Sequence, residues 1–170
     1  ARNLPMFDVE YIFLKIRAKS VGEVIDLSVI CPDDGVTSVV KRVNIGEIDL
    51  QISENHTNKI DITDNIKLYL NYPILSDMGI ITDESDSDTT FKMICRCFKE
   101  LHSGDEVYHR VDIKDSDINE FLDQLNTEQF MGVTNFFETM PKLRHTIEVT
   151  NPKTNVTSEV LLEGLQSFLG

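Results

Sequence analysis

The sequence lacks several features that would assign it to a common functional class. It has three cysteines in 170 residues, an odd number at uneven spacing, which argues against a disulfide framework and fits a reducing compartment. No apolar run approaches the roughly 20 residues of a membrane-spanning helix, and the chain shows no signal-peptide pattern. We also find no glycine-rich phosphate loop, nucleophile elbow or His-Glu-x-x-His pair. These absences predict a protein without a membrane segment and without an established catalytic motif.

Basic residues are scarce relative to acidic ones. Sixteen Lys and Arg against twenty-nine Asp and Glu give a formal net charge of −13, which opposes a phosphate-binding face. We therefore expect no nucleic-acid partner. The acidity favours either a basic protein partner or simple solubility. At 170 residues the chain has the length of a single compact domain, with two small subdomains as the alternative.

One stretch of the sequence occurs twice. Residues 27–40 match residues 147–160, which places Val29 on Val149 and Gly35 on Asn155. Each copy has an alternating apolar strand, a proline, a polar tip with a residue that tolerates positive φ, and a second β-branched strand. The pattern predicts two related β-hairpins that pair or pack on each other.

The tips of these hairpins resemble the knuckles of a zinc ribbon, in which two tips supply four thiolates to one ion. Only Cys31 occupies a ligand position here. Asp34, Asn151 and Thr154 stand where the other three thiols would be, and a single thiolate among such oxygen and amide groups is a poor zinc site. We predict a degenerate ribbon without metal, held by turn hydrogen bonds, and keep Cys31 as a weak candidate ligand. We expect no cofactor.

The whole pattern predicts an α+β fold, in which the hairpins form an antiparallel β layer and a helical region is inserted between them. We divide one compact domain into four segments: an N-terminal helix (1–20), a first hairpin region (21–72), a helical insertion (73–142) and a second hairpin with an apolar tail (143–170). Within the insertion, periodicity predicts a helix over residues 89–102 and an extended segment over residues 106–112.

Two loops contain residue types that occur in binding sites, but we predict no site in either. Residues 82–88 are acidic but lack the central glycine and closing glutamate of an EF-hand, so we favour a solvated loop over a calcium site. His56 has no carboxylate or cysteine near it in the sequence. We interpret it as a solvated loop residue.

One cluster offers an enzymatic alternative. His102, Asp105, His109 and Asp112 fall close together and are residue types that bind metals or perform acid–base chemistry. A Ser-Gly break interrupts any regular spacing among them, so structural polar residues at a turn explain them equally well. A metal-dependent enzyme, or a zinc module using Cys31, is the rival hypothesis.

Both ends of the chain are rich in large apolar residues that one small domain need not bury completely. We predict that they contact partner proteins through apolar patches with an acidic rim. The candidate contact residues are Phe7, Tyr11, Phe13, Phe168 and Leu169.

Several segments distributed over the whole chain resemble the baseplate hub protein family of T4-like contractile-tailed phages. They are residues 4–23 (LPMFDVEYIFLKIRAKSVGE), 104–108 (GDEVY), 140–145 (MPKLRH) and 163–168 (EGLQSF). The resemblance implies a non-enzymatic structural or assembly role in the tail baseplate hub, in the virion or in the host cytoplasm during assembly. It implies other hub proteins as partners, with self-association also open. The sequence departs from the family at two places. Family members carry a further N-terminal segment that the given sequence does not include, and some have Cys-x-x-Cys-Gly at both hairpin tips, where this sequence keeps one cysteine of four.

Overall fold

The structure is a computed structural model that describes residues 3–77 and 87–169. The described residues contain both helices and antiparallel sheets, which confirms the predicted α+β class. The helices are α1 (Met6–Val21), α2 (Ser87–Cys97), α3 (Asp115–Asp123) and α4 (Thr127–Thr139). The strands are β1 (Val24–Ile30), β2 (Ser38–Asn44), β3 (Leu50–Gln51), β4 (Lys59–Asp61), β5 (Ile66–Leu70), β6 (Phe98–Ser103), β7 (Glu106–His109), β8 (Lys142–Thr150) and β9 (Thr157–Glu163). Most of the predicted acidic loop, residues 82–86, lies outside the described residues.

The chain forms two compact units with separate hydrophobic cores. The hairpin unit contains residues 7–51 and 141–170, and the insert unit contains residues 1–6 and 52–140. The four-segment division of a single domain stays a prediction. No helix among the described residues is long and apolar enough to cross a membrane.

The hairpin unit is built on the two hairpins that the repeat predicts. β1 pairs with β2 from Val24↔Asn44 to Ile30↔Ser38, and β8 pairs with β9 from Arg144↔Glu163 to Thr150↔Thr157. The short strand β3 adds to the other side of β8. Both hairpins turn one face toward a common core together with α1. Its buried residues are Leu14, Ala18, Leu27, Val29, Val43, Ile45, Ile48, Leu143, Ile147, Val149, Leu162 and Phe168.

The insert unit holds a four-stranded antiparallel sheet in the order β4-β5-β6-β7. Side chains of α2, α3 and α4 share one apolar core with the sheet. Its buried residues are Ile60, Ile62, Leu68, Leu70, Ile94, Cys95, Phe98, Ile118, Leu122, Val133 and Phe136. Within residues 73–142, β7 falls in the segment predicted to be extended, whereas β6 replaces the end of a predicted helix.

The helix predicted over residues 89–102 is wrong in its second half. α2 ends at Cys97, and β6 follows at once. The pairing of β5 with β6 contains a β-bulge, with Tyr69 opposite Glu100 but Leu70 opposite Phe98. The bulge turns Phe98 and Leu101 to the same core-facing side of the strand, although side chains three apart normally point to opposite faces. Their three-residue spacing imitates helical periodicity, which is why the pattern misleads.

Candidate functional site

The two hairpin tips have the same backbone construction. Gly35 N donates to Cys31 O at 2.9 Å, and Asn155 N donates to Asn151 O at 2.8 Å. Gly35 has φ 67° and Asn155 has φ 59°, a left-handed conformation that glycine and asparagine tolerate better than other residues. The prediction of two structurally related hairpins is therefore confirmed at the level of individual hydrogen bonds.

The match between the two copies shifts by one residue after the tip. Residues 31–37 separate the paired ends of β1 and β2, whereas residues 151–156 separate those of β8 and β9. Because the second tip is one residue shorter, Ser38 corresponds to Thr157 in the structure. The sequence match, which keeps a constant separation between the two copies, aligns Ser38 with Ser158 instead. Burial supports the corrected register, since Val43 and Leu162 are both buried at equivalent places.

A polar network joins one tip to the other. Asn151 is fully buried, at 0% exposed. It donates its Nδ2 hydrogens to Asp33 Oδ1 at 3.1 Å and to Asp34 Oδ2 at 2.9 Å. Thr154 Oγ1 donates to Asp33 Oδ2 at 2.6 Å. Hydrogen bonds to ionised groups are stronger than those between neutral groups. The tips are therefore linked by amide and hydroxyl donors on one hairpin and carboxylates on the other.

The same hydrogen bonds keep both carboxylates ionised. Hydrogen bonds from the Thr37 side chain and backbone, and from Asn151, lower the pKa of Asp34. The hydroxyl of Thr154 and the amide of Asn151 lower the pKa of Asp33. The network is thus fully formed only when both aspartates carry their charge.

The tip residues do not fit a zinc ion. Asn151 donates to both Asp33 and Asp34, and Thr154 donates to Asp33. Both residues thus point hydrogen atoms at the carboxylates, where metal ligands would present lone pairs. Burial and the two aspartates raise the pKa of Cys31, and only the thiolate form binds zinc well. No group of three His, Cys, Asp or Glu residues in the described part of the chain is arranged to hold a metal.

The histidine and aspartate cluster of the enzymatic alternative is only partly assembled. His102 Nε2 lies 3.1 Å from Glu100 Oε1, and His109 Nδ1 lies 3.3 Å from Glu100 Oε2, because the register of β6 and β7 sets Glu100 opposite His109. Asp105 lies in the turn between these strands and Asp112 in the helical turn that follows β7. The pKa of Glu100 is lowered, chiefly by the hydrogen bond with His102. The arrangement is a group of two histidines that contact one carboxylate, and the spacing in the sequence gave no sign of Glu100.

The interpretation of His56 as a solvated residue is wrong. Its ring is half-buried, with Nδ1 2.9 Å from Thr139 Oγ1 and Nε2 2.9 Å from the Tyr72 hydroxyl. Thr139 Oγ1 donates to Asn135 O, so it accepts from Nδ1, which carries the proton. Burial lowers the pKa of His56. These partners are 16 and 83 residues away in the sequence, so no local pattern reveals them.

Helix α1 divides its large apolar residues between two sides. Leu14 and Ala18 are buried in the core, and the half-buried Tyr11 packs on the same core. A second set lies on the opposite side of the helix at helical spacing and remains exposed: Ile12 by 46%, Phe13 by 50% and Ile16 by 58%. We call Ile12, Phe13 and Ile16 the outer face of α1.

The predicted contact residues fall in different places. Phe13 is on the outer face of α1, whereas Phe7 is half-buried and Tyr11 donates its hydroxyl to Asp49 at 3.0 Å. Phe168 is 0% exposed within the hairpin-unit core, so its proposed role as a surface contact has to be corrected. Leu169 is partly buried, and its carbonyl accepts a hydrogen bond from Arg17 at 2.8 Å. The apolar tail is used within the hairpin unit, a role that its composition does not distinguish from partner binding.

Comparison with known proteins gives one family. The family model described as T4 bacteriophage base plate protein matches residues 1–170, the whole chain. No curated protein and no solved structure matches.

Proposed function

Because this chain belongs to the T4 bacteriophage base plate protein family, we propose that it is a non-enzymatic component of the baseplate hub that acts by binding other hub proteins. Membership makes it a structural protein of the phage tail base plate. The hub location, the binding role and any part in assembly are the proposal. Its site of action would be the virion tail, or the host cytoplasm while the tail is assembled.

The outer face of α1 is the observation that supports protein binding. Three large apolar side chains, Ile12, Phe13 and Ile16, lie together on a regular helix and are about half exposed. An apolar stripe on a helix is a common docking element, because a partner can bury several side chains at i, i+3 and i+4 spacing. Single exposed apolar residues are ordinary, but a contiguous set with an aromatic member is typical of interfaces.

The test uses charged substitutions on this face. We expect Phe13→Asp and Ile16→Asp to abolish co-elution of the chain with the other hub proteins of the same phage in size-exclusion chromatography. The free energy of unfolding should change by less than about 1 kcal/mol, because neither side chain is in the core. The matched control is Val21→Asp on the opposite side of α1, where Val21 is 79% exposed.

Each result decides the proposal. Loss of co-elution with Phe13→Asp but not with Val21→Asp supports α1 as the contact. Equal co-elution for both variants contradicts it. If the unmodified chain binds no hub protein and does not self-associate, the interaction role itself is contradicted.

A further inference from the structure

The two edges of the insert-unit sheet differ in how they are covered. At the edge formed by β4, Ile60 is 7% exposed, and Gln129 Nε2 of α4 donates to Ile62 O at 3.0 Å. At the opposite edge all four residues of β7 are exposed, including Val107 by 45% and Tyr108 by 42%. Among the described residues, β7 has a strand on one side only.

The turn before β7 fixes which backbone groups face outward. Ser103 pairs with Glu106 across the two-residue turn that contains Gly104, at φ 60°. In such a hairpin the closing pair is hydrogen-bonded, and the bonded pairs then alternate along the ladder. Val107 therefore directs its N–H and C=O away from β6. An exposed strand edge of this kind can pair with a further strand.

An apolar groove lies beside this edge. Its volume is about 310 Å³, near the lower end of the range for ligand pockets and enough for one or two large apolar side chains. The lining residues are Phe98, Leu101, Tyr108, Asp112, Ile113, Asp117, Ile118 and Phe121. Tyr108 of β7 belongs to this lining, so the exposed edge and the groove are continuous.

The charge at the groove is negative. Asp112 and Asp117 belong to its lining. Asp117 Oδ2 accepts from the backbone of Lys114 at the start of α3, whereas Asp112 has no hydrogen bond or ion pair to any described residue. An unpaired carboxylate beside an apolar surface favours a ligand that carries both an apolar group and a cation.

We propose that β7 and this groove bind an extended segment of a partner protein in which Lys or Arg alternates around a large apolar residue. The segment adds as a strand to β7 and inserts its apolar side chain into the groove, while its basic side chains lie near Asp112. Main-chain hydrogen bonds supply affinity, and the groove and charges supply specificity. A second copy of this chain fits less well, because each copy has a net charge of −13.

The test uses one synthetic peptide, Thr-Lys-Thr-Phe-Thr-Lys-Thr, with capped ends and a fluorescent label. In a strand its lysines and phenylalanine share one face. We expect saturable binding to the full chain by fluorescence anisotropy at peptide concentrations up to about 1 mM. Methylating the backbone nitrogens that face β7 should abolish binding, because strand addition needs these donors. Replacing both lysines with glutamate should also abolish it.

Protein variants locate the site. Asp112→Asn should weaken binding about threefold, the usual scale of an exposed charge pair. Glu138→Gln, an equal charge change on an exposed residue of α4 outside the groove lining, should leave binding unchanged. Phe13→Asp should also leave it unchanged, which separates this inference from the proposed role of α1.

Three outcomes would overturn the inference. They are no saturable binding, equal binding of the methylated peptide, and equal weakening by Asp112→Asn and Glu138→Gln. Sedimentation of the chain alone adds a fourth: a dimer that Val107→Pro dissociates would identify a second copy as the occupant of β7.

Discussion

The hairpins β1–β2 and β8–β9 share a buried face but differ at their tips. Leu27 and Val29 of β1 are buried, as are the corresponding Ile147 and Val149 of β8. At the tips the first hairpin supplies carboxylates and the second supplies an amide and a hydroxyl that donate to them. The shared apolar pattern sets the fold of each copy, whereas the unlike tips link one copy to the other.

The solvent-facing sides of the two hairpins also differ. Ile30 and Val40 are exposed by 59% and 72% in the first hairpin. In the corrected register the second hairpin has Thr150 and Glu159 at these places. Residues on this side are free to diverge, because they are outside the common core.

The largest expected effect comes from making the tips alike in charge. Asn151→Asp replaces the buried donor with a third carboxylate that faces Asp33 and Asp34. We expect a loss of about 3 kcal/mol or more in the free energy of unfolding, because the buried carboxylates would lose the hydrogen-bond donor that compensates their charge. Chemical denaturation monitored by circular dichroism measures it.

The matched control is Asn155→Asp, the same chemical change at an exposed place on the same tip. Aspartate also tolerates the left-handed conformation found there, so we expect a loss below about 1 kcal/mol. Equal losses for the two variants would show that the tip-to-tip network does not stabilise the hairpin unit.

A smaller effect should follow from substitution at Gly35. Asn155 fills the equivalent position in the second tip, so Gly35→Asn should change the free energy of unfolding by less than about 1 kcal/mol. Gly35→Val should cost about 2 kcal/mol, because a β-branched residue is strained at φ 67°. The same denaturation measurement compares the two variants. If asparagine costs as much as valine, the two tips are not equivalent.

Local chemistry explains why the hairpins were predictable and their connection was not. Alternating apolar residues, a proline and a residue suited to positive φ specify each hairpin within fourteen positions of the sequence. The link between the tips joins Asp33 to Asn151 across 118 positions. The sequence predicted that Asp34, Asn151 and Thr154 meet at the tips, but as degenerate metal ligands, and it gave no role to Asp33, which accepts from Asn151 and Thr154. It could not show that Asn151 presents hydrogen atoms to both aspartates.

Other differences have similarly non-local causes. Phe98 and Leu101 follow a helical spacing because a bulge in β6 brings them to one face, and only the neighbouring strand β5 defines that bulge. Phe168 belongs to the core that both hairpins and α1 form, and its apolar character alone could not distinguish a core residue from a partner contact. Phe13 lies on the exposed outer face of α1, and its role as a partner contact stays a prediction.

Acid should act on the tips through the carboxylates of the first hairpin. The folded-state pKa values of Asp33 and Asp34 are lowered, so their stabilising contribution is complete above the unfolded value of roughly 4. It is lost as the pH falls below that value toward the folded pKa values. We expect the free energy of unfolding to decrease more steeply with acid in the unmodified chain than in Asn151→Leu, which lacks the shared donor. Parallel pH profiles would contradict this role of Asn151.

The smallest expected effect concerns the solvent-facing sides of the two hairpins, where their residues differ. Val40→Glu gives the first hairpin the residue type that the second has at Glu159. Because Val40 is 72% exposed, we expect a loss below about 1 kcal/mol, set by strand propensity rather than by packing. The control is Val43→Glu, three residues along β2, where the side chain is 3% exposed and a charge should cost several kcal/mol. Equal destabilisation by Val40→Glu and Val43→Glu would mean that Val40 makes packing contacts that the second hairpin lacks. The two hairpins would then be equivalent in their backbone only.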